Sequence, residues 1–583
     1  MRTRRCTSSA ANPFSIRTTI SGPVSVGCAE LVVRLYKKPP ASASVVAVTD
    51  LSDNAPGNAF DATATLAEPV ARQRRGGRDR GRGGEPRSLL PQQRPWAQPT
   101  MRLNHTEVVT ADEIESIHLA SLAILERIGM EFLCPESRSI MRSAGAEVDE
   151  ATMRVRFPRE LILGAVAKAP AEFTVHSRNP AHNIHVGGRS IAFGTVASAP
   201  NYVDRNGVRR IGDRAGFQDL LKLAQMLNVI NFIPGYPVEP VDLHHSIRHL
   251  EASYDILTMA DKGLHCYSLG RERNLDSIEM VRIARGVDQA TIDREPSVIT
   301  VINTNSPLRL DIPMAQGMIE FALHNQPVVV TPFTLAGAMA PITLGGALAQ
   351  QNAEALAGIA LVQLVNPGAP VMYGGFTSNV DMQSGSPAFG TPEYVRTAMI
   401  SGQLCRKYRV PYRSSNVCAA NALDAQAAYE SVFSLWGAIM GGANFLMHGA
   451  GWMEGGLHAS LDKMLLDADL LQMVSAMLEP VSVDADAIPI ATIEAVGPGG
   501  HFFGTEHTQE RFRDAFYKPM LSDWRNYETW DEAGRPTADQ KAHQLVGRFL
   551  DAYEEPAMDP EIKAELRAFV DRRVAEGGVA TDF

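Results

Sequence analysis

Eight short apolar runs, each followed by a stretch with helical periodicity, recur along this chain at intervals of about 30 to 43 residues. Strands that alternate with helices predict βαβ units and a parallel sheet. Eight such units in roughly 260 residues match the size of a (β/α)₈ TIM barrel. A doubly wound sheet would carry a glycine-rich first turn, and no GxGxxG follows the first run. The runs are Ile191–Thr195, Val229–Ile233, Gly263–Tyr267, Val298–Asn303, Val328–Thr331, Val371–Tyr373, Tyr412–Asn416 and Asn444–His448.

Composition divides the 583 residues into four segments. Residues 1–100 form a basic, low-complexity extension that we expect to be disordered, and residues 1–65 are a candidate for a misassigned start of translation. Residues 101–190 are interpreted as an N-terminal α+β elaboration whose first helix begins at a capping box, Thr110–Glu113. Residues 191–480 contain the predicted barrel, and residues 481–583 a C-terminal helical segment packed on it.

Charge and cysteine patterns exclude several classes of function. Residues 1–100 carry 15 Lys and Arg against 7 Asp and Glu, whereas residues 101–583 carry 40 against 58. The acidic body argues against nucleic acid as the main partner. The six cysteines are scattered without a CxxC pair, which favours a reducing compartment, and we predict a cytoplasmic protein. The most apolar stretch, Gly358–Phe376, is broken by Asn366, Pro367 and Pro370, so no membrane span is predicted.

The strand ends are where a barrel of this type places its chemistry. No Lys stands at a strand end, which disfavours a Schiff-base enzyme. No HxH, HExxH or CxxC pair is present, so a metal site would need ligands gathered from separate strands, and we expect no bound metal. Aromatic rings around a cavity can instead hold a quaternary ammonium by cation–π attraction, although loop packing also explains such rings. The predicted substrate-binding residues at these strand ends are Tyr267, Asn303, Phe333, Tyr373, Phe376, Asp381 (alternatively a helix cap) and His448.

Two blocks of the sequence resemble a known enzyme family. The first block joins Thr331–Thr343 (TPFTLAGAMAPIT), Ala355–Pro370 (ALAGIALVQLVNPGAP), Tyr373-Gly374 and Phe389–Glu393. The second block is Val496–Arg511 (VGPGGHFFGTEHTQER). Together the blocks are similar to the trimethylamine:corrinoid methyltransferase family, and the similarity runs from about residue 105 to the C-terminus.

The resemblance also indicates a branch of that family. Founding members decode an in-frame amber codon as pyrrolysine and use trimethylamine. This chain has no non-standard residue, so it resembles the pyrrolysine-free branch, whose characterised members use betaines. It departs from the family at Cys418–Asn421 (CAAN), ahead of Asp424 and Gln426, where many relatives read roughly Ser-Asp-Ala-Lys.

The resemblance implies a barrel enzyme that moves a methyl group from a quaternary or tertiary methylamine, such as glycine betaine, to the cobalt of a corrinoid. The corrinoid would be carried by a separate small protein and would supply the nucleophile. The enzyme then has to align the N–CH₃ bond and exclude water, so no catalytic residue is assigned. Gly374, Gly375 and Gly449 are expected to let the corrinoid approach, and we expect a homo-oligomer.

A betaine carboxylate would need hydrogen-bond donors, for which His265, His448, Arg413 and His501 are candidates. His501 is included among the predicted substrate-binding residues because Gly499-Gly500 lets the backbone approach closely. Two other functions stay open. One is a zinc-dependent thiol methyltransferase using Cys266, although strand alternation places His265 and Cys266 on opposite faces. The other is a non-catalytic protein that binds a quaternary amine.

Overall fold

The computed structural model describes residues 90–267 and 270–580, and its centre is a closed barrel of eight parallel strands. Each strand pairs with the next along the chain, and the eighth pairs with the first. Every strand lies at one of the eight predicted apolar runs, which confirms the (β/α)₈ TIM barrel. The strands are β1 (Ala192–Thr195), β2 (Phe232–Ile233), β3 (Gly263–Cys266), β4 (Val298–Thr304), β5 (Val328–Ala336), β6 (Val371–Gly374), β7 (Tyr412–Ser415) and β8 (Phe445–Ala450).

An α+β region precedes the barrel, and its first helix begins at the predicted capping box. The Thr110 hydroxyl accepts from the Glu113 N–H, and the Glu113 carboxylate accepts from the Thr110 N–H. The helix continues as a π-helical turn, Ile124–Ile128, and ends at Gly129, where φ is 78°. The helices here are α1 (Ala111–Ala123), α2 (Pro135–Ser143) and α3 (Arg159–Val166), beside a sheet of Met130–Phe132, Glu147–Asp149, Arg154–Arg156 and Arg309–Leu310.

A β-hairpin, Glu172–Val175 paired with Ile184–Gly187, closes the end of the barrel where the strands begin. Its buried aliphatic side chains form one cluster with barrel residues from the starts of the strands, including Phe232 and Phe445. Those two rings stack with their centroids 3.8 Å apart. Because apolar side chains fill this end, the polar inward-facing residues lie toward the opposite end, where the strands finish.

Helices alternate with the strands and form the outer layer. Asp213, Asp311, Thr391 and Asp424 each begin a helix by accepting backbone N–H groups, the N-cap role that short polar side chains favour. The barrel helices are α4 (Arg214–Met226), α5 (Arg248–Met259), α6 (Arg271–Arg285), α7 (Gln289–Arg294), α8 (Ile312–Leu323), α9 (Leu344–Val365), α10 (Pro392–Tyr408), α11 (Ala425–Gly441) and α12 (Leu461–Met477).

Short strands decorate the end of the barrel where the parallel strands finish. Phe376–Val380 extends alongside β5, and Pro387–Ala388 pairs antiparallel with it. A second small sheet joins Asn201–Val203, Arg209–Ile211, Trp452–Met453 and His458–Ser460, so the loops after β1 and β8 are held together.

The chain ends in five helices after residue 480. They are α13 (Ile490–Val496), α14 (Glu506–Arg511), α15 (Tyr527–Glu532), α16 (Ala538–Asp551) and α17 (Pro560–Ala575). Within the described residues, no helix combines the length and the apolar character that crossing a bilayer requires. The segment boundaries at residues 100, 190 and 480 stay predictions. Residues 1–89 lie outside the described residues, and with them the predicted start of translation within residues 1–65 and most of the predicted disordered extension.

Candidate active site

Polar side chains point into the barrel near the ends of β3, β4, β5 and β7. Strand alternation directs His265, Asn303, Thr331 and Arg413 inward, one from each of these strands. Asn303 and Thr331 are register partners on neighbouring strands. The backbone N–H of Val301 donates to Nε2 of His265 over 3.0 Å, which ties the His265 ring to the adjacent strand. We call these four residues the floor, and together with the aromatic side chains beside them the cup.

Arg413 is the one cation of this cup and is almost fully buried, with 2% of its surface exposed. Its Nε and one terminal nitrogen have no hydrogen-bond partner, and among the described residues no carboxylate forms an ion pair with it. Burial lowers the pKa of Arg413 to about 10, which still leaves the guanidinium charged near neutral pH. A buried, unpaired charge is costly, so the cup is prepared for an anionic group from another molecule.

Phe376 is the centre of an aromatic cluster above Arg413. The guanidinium carbon lies 5.0 Å from the centroid of the Phe376 ring, within cation–π range. The centroids of Phe333 and Phe389 lie 5.2 and 5.7 Å from it, and that of Trp452 lies 6.4 Å away. These ring faces line an electron-rich surface directly beside the positive group.

The backbone that carries Phe376 is fixed from outside the barrel by α9. The Gln351 side-chain carbonyl accepts from the Phe376 N–H over 3.2 Å and from the Thr377 hydroxyl over 2.5 Å. Its amide donates to the hydroxyls of Tyr373 and Ser401, over 3.1 and 2.9 Å. This fully buried amide therefore sets where the Phe376 ring lies.

Two histidines of the cup are neutral. Burial, with Arg413 nearby, lowers the pKa of His265 to about 4 and holds the pKa of His448 well below its usual range. Because Nε2 of His265 accepts from a backbone N–H, its Nδ1 carries the proton and faces the backbone of Pro234. Nδ1 of His448 lies 3.1 Å from the Ser415 hydroxyl, and its ring lies 4.1 Å from that of Trp452. Neither residue adds positive charge beside Arg413 near neutral pH.

A pair of tyrosines forms the other side of the cup. The rings of Tyr236 and Tyr267 lie 4.4 Å apart, and the ring of His265 lies 6.2 Å from Tyr267. The Tyr267 hydroxyl donates to the Ser198 hydroxyl. Burial, with the Glu239 carboxylate nearby, raises the pKa of Tyr267 well above its usual range, so this wall is neutral as well.

The structure brings five of the predicted substrate-binding residues to the cup: Tyr267, Asn303, Phe333, Phe376 and His448. It does not bring the other three there. Tyr373 points to the opposite face of β6, where Gln351 of α9 bonds its hydroxyl. Asp381 is exposed and accepts from the N–H and hydroxyl of Ser384 in a turn, and His501 is exposed beyond α13.

The three glycines predicted to receive the corrinoid are packed against protein. An added Cβ at Gly374 would lie 2.0 Å from the Thr331 hydroxyl, and one at Gly449 would lie 2.6 Å from the Gly194 carbonyl oxygen. At Gly375 it would lie 2.7 Å from the Ser401 side chain. Close packing against the neighbouring strands at Gly374 and Gly449, and against helix α10 at Gly375, accounts for all three glycines, so their contact with a corrinoid stays a prediction.

Sequence reasoning missed Trp452 and Thr331 and gave Arg413 no special place. Arg413 and Ser415 share one face of β7, and alternation along that strand is the signal that could have distinguished Arg413. Trp452 lies in the Gly449–Gly456 loop, where only the tertiary structure shows its ring beside His448.

The thiol of Cys266, the cysteine nearest in sequence to the cup floor, points away from it. Cys266 follows His265 on β3 and faces Ser277 of α6, and burial raises the pKa of its thiol to about 12. In the described part of the chain, no group of three or more His, Cys, Asp and Glu side chains is placed to hold a metal ion.

Comparison with known proteins places this cup in a family. Residues 73–578 match the family described as trimethylamine methyltransferase (MTTB). Glycine betaine methyltransferase of Desulfitobacterium hafniense (strain Y51) is 36% identical over 472 residues, which cover 81% of this chain and 98% of that protein. Trimethylamine methyltransferase MttB2 of Methanosarcina mazei is 28% identical over 471 residues, covering 79% of this chain and 94% of that one.

Among solved structures, the carboxyl transferase domain of Rhizobium etli pyruvate carboxylase aligns with 66% of this chain and 53% of its own. The identity is 11% and the TM-score 0.28, too low to support an argument. The sequence matches, by contrast, span the barrel and the regions on both sides of it. This methyltransferase chain belongs to the trimethylamine methyltransferase (MTTB) family.

Proposed function

We propose that this protein removes a methyl group from a betaine, a quaternary ammonium compound with a carboxylate, and transfers it to the cobalt of a corrinoid on a small partner protein. The observation that carries the proposal is Arg413, a buried cation with unpaired N–H groups. A betaine carboxylate would pair with this guanidinium by charge-assisted hydrogen bonds. Trimethylamine has no carboxylate and would leave the charge unpaired, and the glycine betaine methyltransferase among the relatives supports the same substrate class.

The rest of the cup would hold the ammonium end. The faces of aromatic rings attract a quaternary ammonium. Phe376 offers one such face, and the ring centroids of Phe333 and Trp452 lie 5.2 and 6.4 Å from its centroid. With the carboxylate held by Arg413, one N–CH₃ bond would be directed away from the cup floor toward the strand ends. Holding one bond in that direction is the largest contribution the protein can make to this reaction.

The neutral histidines fit a reaction that moves no proton. When the methyl carbon leaves, the C–N electron pair stays on nitrogen, and the product is a neutral tertiary amine that needs no general acid. The corrinoid, as co-substrate, supplies the nucleophilic cobalt that accepts the methyl group. His265 and His448 would therefore act as dipoles that orient the substrate and exclude water, without proton exchange.

The partner protein would dock over the ends of the strands, since the hairpin closes the other end of the barrel. We propose a cytoplasmic location and a homo-oligomer, with no nucleic acid or membrane partner and no bound metal. Gly374, Gly375 and Gly449 stay as the proposed approach of the corrinoid, although close packing against protein also explains each of them.

The test is a demethylation screen with reduced cobalamin as the methyl acceptor, in which methyl transfer is measured from the change in the cobalt absorption spectrum. Glycine betaine, carnitine, choline and trimethylamine would be compared at equal concentration. We expect methyl loss from the carboxylate-bearing compounds and none from choline. Methyl loss from choline or trimethylamine alone would refute the betaine assignment, and tight betaine binding without any methyl loss would identify a binding protein instead.

A further inference from the structure

Residues 481–516, the C-terminal arm, contain no buried residue although they include α13 and α14. Their hydrogen bonds join the arm to itself, as in the ion pair between Arg511 and Asp486 at 2.7 Å. Hydrogen bonding to the barrel helices resumes at Tyr517, whose hydroxyl donates to the Asp469 carboxylate over 2.9 Å. A segment of this length without a core does not offset its own conformational entropy, so it needs a surface to fold against.

The arm exposes apolar side chains that would be expected in an interior. Phe503 is 81% exposed and Phe516 80%, and Val481, Ile490 and Phe512 are exposed as well. At 150–250 Å² for each aromatic side chain, the arm's phenylalanines alone expose about 500 Å². The aliphatic side chains add a comparable area, so the arm offers roughly the 800 Å² that one partner contributes to a standard interface.

A second apolar surface lies on α11. Tyr429, Val432, Phe433 and Trp436 are all exposed, and their spacing of three and four residues places them on one face of the helix. We call this face the α11 stripe. The opposite face of α11 is buried against α10, where Gly437 lies against Val395. The stripe is therefore a second exposed surface that a soluble monomer would not be expected to keep.

We propose that the C-terminal arm of one copy of this chain packs on the α11 stripe of a second copy. Both surfaces are apolar, and the arm alone exposes about the area of one side of a standard interface, which suits a lasting contact better than a partner that must dock and leave in every catalytic cycle, as a corrinoid protein would. Large apolar interfaces are typical of obligate homo-oligomers, whereas transient ones are smaller and more polar. The inference does not depend on the substrate, and it gives the Val496–Arg511 motif a structural role at the interface.

The first test is the oligomeric mass by sedimentation equilibrium. We expect the full chain to be an oligomer and two double variants to be monomeric with unchanged circular dichroism: Phe503→Glu with Phe516→Glu, and Val432→Glu with Trp436→Glu. The matched control is Leu323→Glu, which places the same charge at another exposed apolar residue and should keep the mass. A monomeric wild type, or either double variant retaining the oligomer mass, overturns the proposal.

The second test identifies the partner surface directly. A photo-crosslinking phenylalanine analogue at position 503 would be placed in ¹⁴N chains, which are then mixed and re-equilibrated with ¹⁵N chains. We expect crosslinked peptides that join the arm to residues 429–436 with mixed isotopes. Crosslinks within one isotope alone mean that the arm folds back on its own chain, and crosslinks that form only when a corrinoid protein is added mean that it binds that partner. Either result overturns the inference.

Discussion

Replacing Arg413 with Met should weaken betaine binding while making the free enzyme more stable. Burial lowers the pKa of Arg413 from 12.5 to about 10, and at 1.36 kcal/mol per unit this corresponds to a penalty of about 3 kcal/mol for the charged form. The charge destabilises the folded state, because Arg413 holds its proton less tightly in the folded than in the unfolded chain, although it is charged in both at pH 7. The contact with Phe376 returns about 1–2 kcal/mol. Removing the charge should therefore stabilise the fold by about 1–2 kcal/mol.

The effect on the substrate runs in the opposite direction. Truncating one partner of a buried, hydrogen-bonded charge pair costs about 2–5 kcal/mol. At 1.4 kcal/mol per tenfold, a loss of about 3 kcal/mol weakens glycine betaine roughly 100-fold. Choline lacks the carboxylate, so its affinity should not fall. Two opposite shifts, in the melting temperature and in the betaine Kd, separate a ligand-binding residue from one that supports the fold.

Isothermal titration calorimetry would give the betaine Kd, and differential scanning calorimetry the melting temperature. The matched control is Arg396→Met on α10, which removes an exposed arginine and should change neither quantity. The reasoning is refuted if Arg413→Met lowers the melting temperature while betaine still binds as tightly as before. An equal loss of betaine and choline affinity would also refute it, since that pattern indicates a collapsed cup.

Three further predictions test the surroundings of the cup. Phe376→Leu should weaken binding of the ammonium end by about 1–2 kcal/mol, measured as the betaine Kd, whereas Tyr373→Phe should leave it unchanged because that ring faces α9. The free energy of unfolding should fall as the pH drops from 6.5 toward 4. His265 gains a proton in the unfolded chain over this range, whereas the folded side chain, with a pKa of about 4, takes it up less readily. A melting temperature independent of pH in this window would contradict the buried neutral imidazole. Lys463→Met should lower the free energy of unfolding by about 3–5 kcal/mol, because it leaves the fully buried Asp467 without its ion-pair partner. The double variant Lys463→Met with Asp467→Leu should recover much of the lost melting temperature. No recovery would argue against the ion pair as the origin of the loss.

The barrel could be predicted from the sequence because hydrophobic periodicity is a property of short stretches of chain. Each of the eight apolar runs is short, and helical spacing follows it, so both the strands and their order along the chain are visible without tertiary information. The capping box at Thr110 and the helix end at Gly129 are equally local, since they depend on residues within one turn. The ends of the strands were less accurate: β2 begins at Phe232 and not at Val229.

The site was only partly visible because its residues come from separate strands. Nothing adjacent in sequence distinguishes Phe376, which faces the cup, from Tyr373, which faces α9; the difference follows from the end of β6 at Gly374 and the new strand that begins at Phe376. Asp381 and His501 lie in suggestive motifs, but the loop and the arm that carry them extend away from the cup.

By itself, the sequence determined the closed parallel barrel, the outer helices and the family, because these depend on periodicity and on motifs read along the chain. Only the tertiary structure decided which charge is buried without a partner. Whether Arg413 meets a carboxylate depends on what the neighbouring strands β6 and β8 place beside it, and those residues are tens of positions away in sequence. The cost of burying a charge is a property of that three-dimensional environment and of no single segment.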